Sequence, residues 1–289
     1  MSTSTDDLSE FLLRGRNPDG GWGYYPGKSS RLEPTALAVL ALHETRPGAG
    51  GAAALQRWPT SDGLLLERTG GEANYAFHGL ALLTMLACGV EHTSGNAALL
   101  RGLQRAKGVA LEPSTHSRQD NALQAWSWIA DTFSWVEPTA WCLLSLKKWS
   151  RQPGALVDSS RMDEAERLLI DRSCLRGGWN YGNSNMLGQE LEPYVPTTAI
   201  GMLAMQDRLA NPIVERSLNY LEEHAISERS GTALALALLA LRACGRRDDE
   251  VRAALMDQLA VTTAFGNHAA IALAVCALGP EQTHAAFTL

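Results

Sequence analysis

Thr35-Ala-Leu-Ala-Val-Leu-Ala-Leu, Thr139-Ala-Trp-Cys-Leu-Leu-Ser-Leu and Thr232-Ala-Leu-Ala-Leu-Ala-Leu-Leu are three versions of one segment. Each opens on a threonine and is apolar nearly all round, the mark of a helix covered on most of its faces. Further segments of this character start near His78, Thr198 and Ala269. Such self-similarity along a chain points to a repeat architecture.

More polar stretches with helical spacing of apolar residues lie between them, near residues 8–14, 52–58, 97–106, 162–171, 213–224 and 250–259. In the fifth, Ile213, Val214, Leu218 and Leu221 fall on one stripe, with Glu215, Arg216, Glu222 and Glu223 opposite. A two-helix unit cannot bury both its faces alone, so neighbouring units must stack. The buried helices then form an inner ring and the amphipathic ones an outer ring. An open solenoid would need polar capping repeats, yet the last buried segment, residues 269–278, is as apolar as the middle ones. The expected fold is therefore all-α: an (α/α)6 toroid of six helical hairpins, forming one domain over residues 1–289. Turn chemistry agrees, because Pro34, Pro138 and Pro196 sit at helix starts, where a missing N–H costs nothing.

Of the 289 residues, 45% are hydrophobic, enough for a large core. The formal net charge is −6 and no basic cluster interleaves with aromatics, so nucleic acid is not an expected partner. The start, Met1-Ser-Thr-Ser-Thr-Asp-Asp, lacks the pattern of a signal peptide. The most apolar run, residues 232–241, ends at Arg242, well short of the ~20 residues a membrane span needs. A cytoplasmic protein is expected; membrane contact stays open but nothing in the pattern indicates it. Cys88, Cys142, Cys174, Cys244 and Cys276 form no CxxC pair and read as small hydrophobes.

Two turns carry a more specific signal: Asp19-Gly20-Gly21-Trp22-Gly23 and Arg176-Gly177-Gly178-Trp179-Asn180-Tyr181. They resemble the Gly-x-Trp part of the QW repeats of squalene-hopene cyclases, with degenerate versions at Asp62-Gly63-Leu64 and Asn121-Ala122. The run Trp135-Val-Glu-Pro-Thr-Ala is similar to the inner-helix starts of that family. The chain thus resembles the terpenoid cyclase and protein prenyltransferase toroids, at the level of repeats and over nearly its whole length. The resemblance implies a central apolar cavity that takes an isoprenoid or another apolar small molecule.

Class II cyclases of the family protonate their substrate with a DxDD-Thr-Ala motif at an inner-helix start. The matching stretches, Arg31-Leu32-Glu33-Pro34-Thr35-Ala36 and Trp135-Val136-Glu137-Pro138-Thr139-Ala140, each keep one carboxylate, at the family's proton-donor position. The resemblance therefore implies Glu137 and Glu33 as catalytic residues. Glu137 is favoured, because Trp126, Trp128, Trp135 and Trp141 crowd around it in sequence. An apolar wall keeps an acid protonated, and aromatic faces stabilise a carbocation. Tyr75, His78, Tyr194 and His268, at or near inner-helix starts, are further candidates for contact with substrate, and Asn74 for a donor at the pocket rim. Asp120 and Asp131 flank the tryptophans as acids placed to assist Glu137.

Plainer readings stand beside these. The two glutamates serve equally well as partners for orphan N–H groups at helix starts, and the tryptophans as core. The chain has no Asp-x-Cys at an inner-helix start, where the prenyltransferases hold zinc, so neither metal nor cofactor is expected. Two readings of function follow. One is an isoprenoid-binding, acid-initiated cyclase with a degenerate motif; the other is a non-catalytic toroid that binds a lipid or a partner protein. A glycan-processing (α/α)6 enzyme, with two carboxylates ~5–10 Å apart across a cleft, is a third.

Overall fold

The computed structural model describes residues 4–45, 51–90, 94–115 and 118–289. Helices alternate between an outer and an inner position. Outer α1 (Thr5–Arg14) precedes inner α2 (Leu32–Thr45), and a short 3-10 turn (Ala52–Gln56) precedes inner α3 (Tyr75–Ala87). Outer α4 (Ser94–Arg105) leads to inner α5 (Val136–Ser150), and outer α6 (Ser159–Asp171) to inner α7 (Val195–Met205). Outer α8 (Pro212–His224) and inner α9 (Gly231–Ala243) come next, then outer α10 (Asp249–Phe265) and inner α11 (His268–Leu278). A short α12 (Glu281–Ala285) ends the series. A two-stranded hairpin, β1 (Asn185–Met186) and β2 (Gln189–Glu190), interrupts the loop before α7.

The inner helices pack in the order α2, α3, α5, α7, α9, α11, and α11 returns to α2. The ring is closed. The fold is the (α/α)6 toroid expected from the repeats, and one outer element corrects the sequence reading. The segment at 52–58 is only a 3-10 turn, since three alanines behind three glycines give a short apolar stripe to bury. Inner helices α2, α5 and α7 also begin about one turn before their Thr-Ala pairs. Leu32-Glu33-Pro34 and Val136-Glu137-Pro138 are already helical, because a first turn has no use for the N–H that proline lacks.

A repeated tryptophan joins the two rings. The backbone N–H of Trp22 bonds Thr35 Oγ1 at 2.9 Å, while its indole donates to the Leu12 carbonyl at 2.7 Å. Trp126 does the same with Thr139 (3.3 Å) and Leu103 (2.9 Å), and Trp179 with Thr198 (2.9 Å) and Leu169 (2.6 Å). Each indole thus takes a carbonyl in the last turn of an outer helix. In the second repeat Leu65 stands in the place of Trp, and His78 in that of Thr. Leu65 N–H bonds His78 Nδ1 at 3.0 Å, and Nε2 faces the Leu99 carbonyl at 2.9 Å.

Closure follows from the residue two places after each of these positions, whose carbonyl takes the first N–H of the preceding inner helix. Leu32 donates to Glu67 (2.8 Å), Tyr75 to Trp128 (2.9 Å) and Val136 to Tyr181 (3.1 Å). His268, at the start of the last inner helix, donates to Tyr24 in the first repeat at 2.8 Å. The last repeat is thereby tied to the first.

Arg161 of α6 is buried, with its guanidinium 4.3 Å over the Trp126 ring and hydrogen bonds to the carbonyls of Gln104, Ala106 and Gln124. It pins the connection between α4 and α5 to the outer ring. Gly102 of α4 lies against Gly63, and a Cβ at Gly102 would stand 1.9 Å from the Gly63 carbonyl oxygen. Backbone meets backbone there, so Gly102→Ala is expected to cost about 1–3 kcal/mol, read by urea denaturation against the parent.

The far end of the ring is plugged by the C-terminal segment. Lys148 Nζ donates to the carbonyls of Ala285 and Thr288, both at 2.7 Å, and Gln206 Nε2 to that of Phe287 at 2.8 Å. Phe287 is fully buried, its ring 6.4 Å from that of Trp141. Among the described residues no helix is long and apolar enough to cross a membrane, and no three metal-binding side chains converge. The five cysteines are free thiols.

Candidate functional site

An inner helix has neighbours on both sides and the outer ring behind it, so a partly accessible side chain in its first turn faces the ring's centre. Glu33, Phe77, Glu137, Pro196, Thr232 and Ala270 fit this description and are half-buried. One turn deeper the accessible surface almost vanishes: Trp141 keeps 5%, Ile200 4%, Leu236 3% and Leu273 5%. Accessibility therefore ends within one turn of the N-terminal ends of the inner helices, where Trp141 packs against Phe287. The only two carboxylates among these first-turn positions are Glu33 and Glu137.

Both occupy the second helical position, two residues before the threonine that anchors the repeat tryptophan. Equal register in two repeats aims both toward the same space. Burial, with the charge of Glu33, pushes the Glu137 carboxyl up to about 7, while a hydrogen bond from Trp141 pulls the other way. Burial also raises Glu33, opposed by the Tyr24 hydroxyl, which donates to Glu33 Oε2. Glu67 raises it further, and is itself paired with Arg31. Burial thus favours the protonated form of both carboxyls, and at Glu137 the charge of Glu33 adds to it.

No protein-family model matches the chain, and no curated protein matches it in sequence. Solved structures do. A crystal structure of a protein from Actinoplanes aligns over 90% of this chain and 80% of its own, with TM-score 0.56 and 16% identity. The type II terpene cyclase MstE from Scytonema aligns over 89% of this chain and 77% of its own, with TM-score 0.54 and 16% identity. A variant of that cyclase in complex with its substrate, geranylgeranyl dihydroxybenzoate, aligns over the same shares with TM-score 0.54 and 15% identity. The likeness is one of fold: a terpenoid-cyclase-like α/α toroid.

Within that toroid the expected site residues divide into two groups. Glu33 and Glu137 lie in the first turns of α2 and α5 with Trp141 one turn further along α5, and Trp128 is edge-on to Phe77 at 6.0 Å between ring centroids. Trp135 caps α5 and stacks on Phe133 at 4.7 Å, along a surface groove that Arg172 and Asn183 also line. Tyr75 opens α3, buried, its carbonyl facing Cys142 Sγ at 3.2 Å. Asn74 spends its side chain capping that helix, accepting from the Phe77 N–H at 3.1 Å. Tyr194 is exposed at the rim, its ring 5.3 Å from that of Tyr181.

Trp126, His78 and His268 stand apart from the centre. Each is fully buried between the rings. Trp126 is a repeat tryptophan, fixed by the bonds to Thr139 and Leu103 described above. His78 uses both ring nitrogens on backbone groups, and burial lowers it to about 4, so it is neutral. His268 Nδ1 faces the Gly23 carbonyl at 2.7 Å and its ring lies against Gly15. Asp120 is turned outward, its carboxylate on the Ala122 N–H and its own N–H on Asp171; Asp131 is exposed, with a left-handed backbone (φ 58°). Neither assists Glu137: both sit on solvated loops.

Sequence reading missed Tyr24, Arg31 and Glu67. Their signal is position: Tyr24 and Glu67 lie two residues after Trp22 and Leu65, where the chain crosses the mouth of the ring.

Proposed function

We propose that this chain is an isoprenoid-binding, terpenoid-cyclase-like protein, acting as one toroidal domain, in which Glu137 is the general acid that starts cyclisation. The observation that carries this reading is the place of Glu137 in the first turn of inner helix α5, where burial raises its carboxyl to about 7, with Glu33 at the equivalent position of α2. An acid that delivers a proton to an alkene must keep its neutral form near working pH, and burial does that here. Trp141, one turn further along α5, and Trp128 offer aromatic faces to a developing carbocation. The tryptophan turns support kinship with QW repeats, and the Scytonema cyclase, which shares the toroid, has been solved with a geranylgeranyl substrate. Glu137 without the neighbouring acids of the DxDD motif is a reduced form of that site, with Glu33 from another repeat supplying the second charge.

The test is lipid extraction of the purified protein, followed by incubation with linear isoprenoids of 15–30 carbons and mass spectrometry. A cyclised isomer that disappears in Glu137→Gln supports the acid role. Retention of an isoprenoid without conversion, unchanged in Glu137→Gln, would instead favour the binding-only reading. Absence of both binding and conversion would remove the isoprenoid assignment itself.

A further inference from the structure

The segment that closes the far end of the ring is held by several ties, and one of them changes charge with pH. Thr283 Oγ1 of α12 donates to the Cys276 carbonyl of α11 at 3.0 Å, and Lys148 of α5 to the carbonyls of Ala285 and Thr288. A further tie sets an imidazole against a guanidinium. Arg242 Nη1, in the last turn of α9, stands 2.9 Å from His284 Nε2 and 3.5 Å from Nδ1. We propose that His284 and Arg242 form a pH-sensitive latch, in which acid sets a second positive charge against the guanidinium and frees residues 281–288 from the ring. This device stands whether or not the ring turns over an isoprenoid.

The chemistry of the two partners carries the inference. A guanidinium stays charged at every working pH and has donors only. An imidazole nitrogen that meets it must offer a lone pair, so this packing needs a neutral His284. Arg242 is not free to turn away, because Nε is paired with Asp248 and Nη1 also donates to the Ala277 carbonyl. His284 is tied to the plug in turn: its carbonyl accepts the Phe287 N–H at 2.8 Å. Release of Phe287 would uncover Trp141, whose ring lies 6.4 Å away, and so open the far end of the ring.

Around α12 the charged and titratable side chains, among the described residues, are Arg242, Asp248, its own Glu281, His43 of α2 along the adjoining groove and Lys148 of α5. Asp248 is the carboxylate among them that acts on His284, and Arg242 already holds it. Burial and the Arg242 charge lower His284 from its ordinary 6.5, while the Gly279 and Ala277 carbonyls and Asp248 pull the other way. A base depressed on folding favours the closed form above its ordinary pKa. That contribution is lost as pH falls through the depressed value, by up to about tenfold per pH unit for one proton.

Amide hydrogen exchange of the full chain, read by mass spectrometry on the peptide spanning 281–289 at pH 8, 6.5 and 5, tests the latch. Parent and His284→Gln are compared at each pH, so that the chemical dependence of exchange on pH cancels. The parent-to-variant ratio of rates should stay flat from pH 8 to 6.5. By pH 5 it should rise at least about threefold, up to the ~30-fold that one proton allows over that interval. In an Arg242→Gln background the same comparison should give a flat ratio, because a protonated His284 then meets Asp248 without the guanidinium. A flat ratio with Arg242 present overturns the latch, including the case where acid speeds exchange equally in parent and variant, as it would were His43 the group. A rise that survives Arg242→Gln also overturns it, since burial of the imidazole would then be the cause. Should His284→Gln not fold, the parent compared with Arg242→Gln carries the test, with the same rise expected and a flat ratio as the contrary result.

Discussion

Glu137→Gln is expected to lower turnover of a cyclisable isoprenoid by ~10³-fold without weakening its binding, since a positioned acid contributes about 10²–10⁴-fold. Glutamine keeps the shape of the side chain and removes only the acidic proton. In the parent, turnover should fall as pH rises through about 7, where the carboxyl ionises. The same substitution has a signature in stability. A carboxyl whose pKa is 4.5 unfolded and about 7 folded takes up a proton on folding between those values. Stability is therefore lost as pH climbs through that window, by ~3 kcal/mol at most, because each pKa unit is worth 1.36 kcal/mol. Glu137→Gln should remove this slope, leaving the variant more stable than the parent at pH 8 and nearly equal to it at pH 4. Thermal melts across pH read both limbs. A variant less stable at every pH would mean the carboxylate is a helix-start partner and not a strained acid.

Phe287→Ala should destabilise the ring by about 3–5 kcal/mol, the usual cost of emptying a fully buried aromatic site. Phe287 is held from three sides: Lys148 at the end of α5 grips the neighbouring carbonyls, Gln206 beyond α7 grips its own, and Trp141 meets its ring. A domain of this size loses roughly 2–4 °C in Tm per kcal/mol, so a fall of about 10 °C is expected by calorimetry. Phe287→Leu, which keeps most of the apolar volume, should cost under ~1.5 kcal/mol. Because Phe287 backs Trp141, and Trp141 bonds Glu137, the alanine variant should also move the pH at which turnover falls. A Tm unchanged within a degree would show that the segment lies on the ring without sealing it.

The inner helices were legible because a segment apolar on every side for three turns must be covered by its neighbours. The outer helices were legible by their stripes, except where alanine and glycine at 51–56 left too little side chain to bury. The tryptophan joints were only half visible. Gly-Gly-Trp marks two of them, but the third, Trp126, lacks the glycines and reads as cavity wall. Its separation of 13 residues from Thr139 repeats that of Trp22 from Thr35 and of Leu65 from His78, and this spacing was the available signal. His78 was opaque for a chemical reason: an imidazole nitrogen accepts the same N–H that a threonine hydroxyl accepts elsewhere. Glu33 and Glu137 stood out as the acids at helix starts. Their coupling did not, because the charge of one acts on the other, 104 residues away in sequence, only once the ring has closed.

A carbon-13 NMR titration of the glutamate carboxyl carbons, with Glu137→Gln to assign the signal, tests the central claim most directly. The Glu137 resonance should titrate near pH 7 and move to lower pH in Glu33→Gln, where the neighbouring charge is gone. A resonance that titrates near the ordinary 4.5, indifferent to Glu33, would contradict an acid poised at the centre of the toroid.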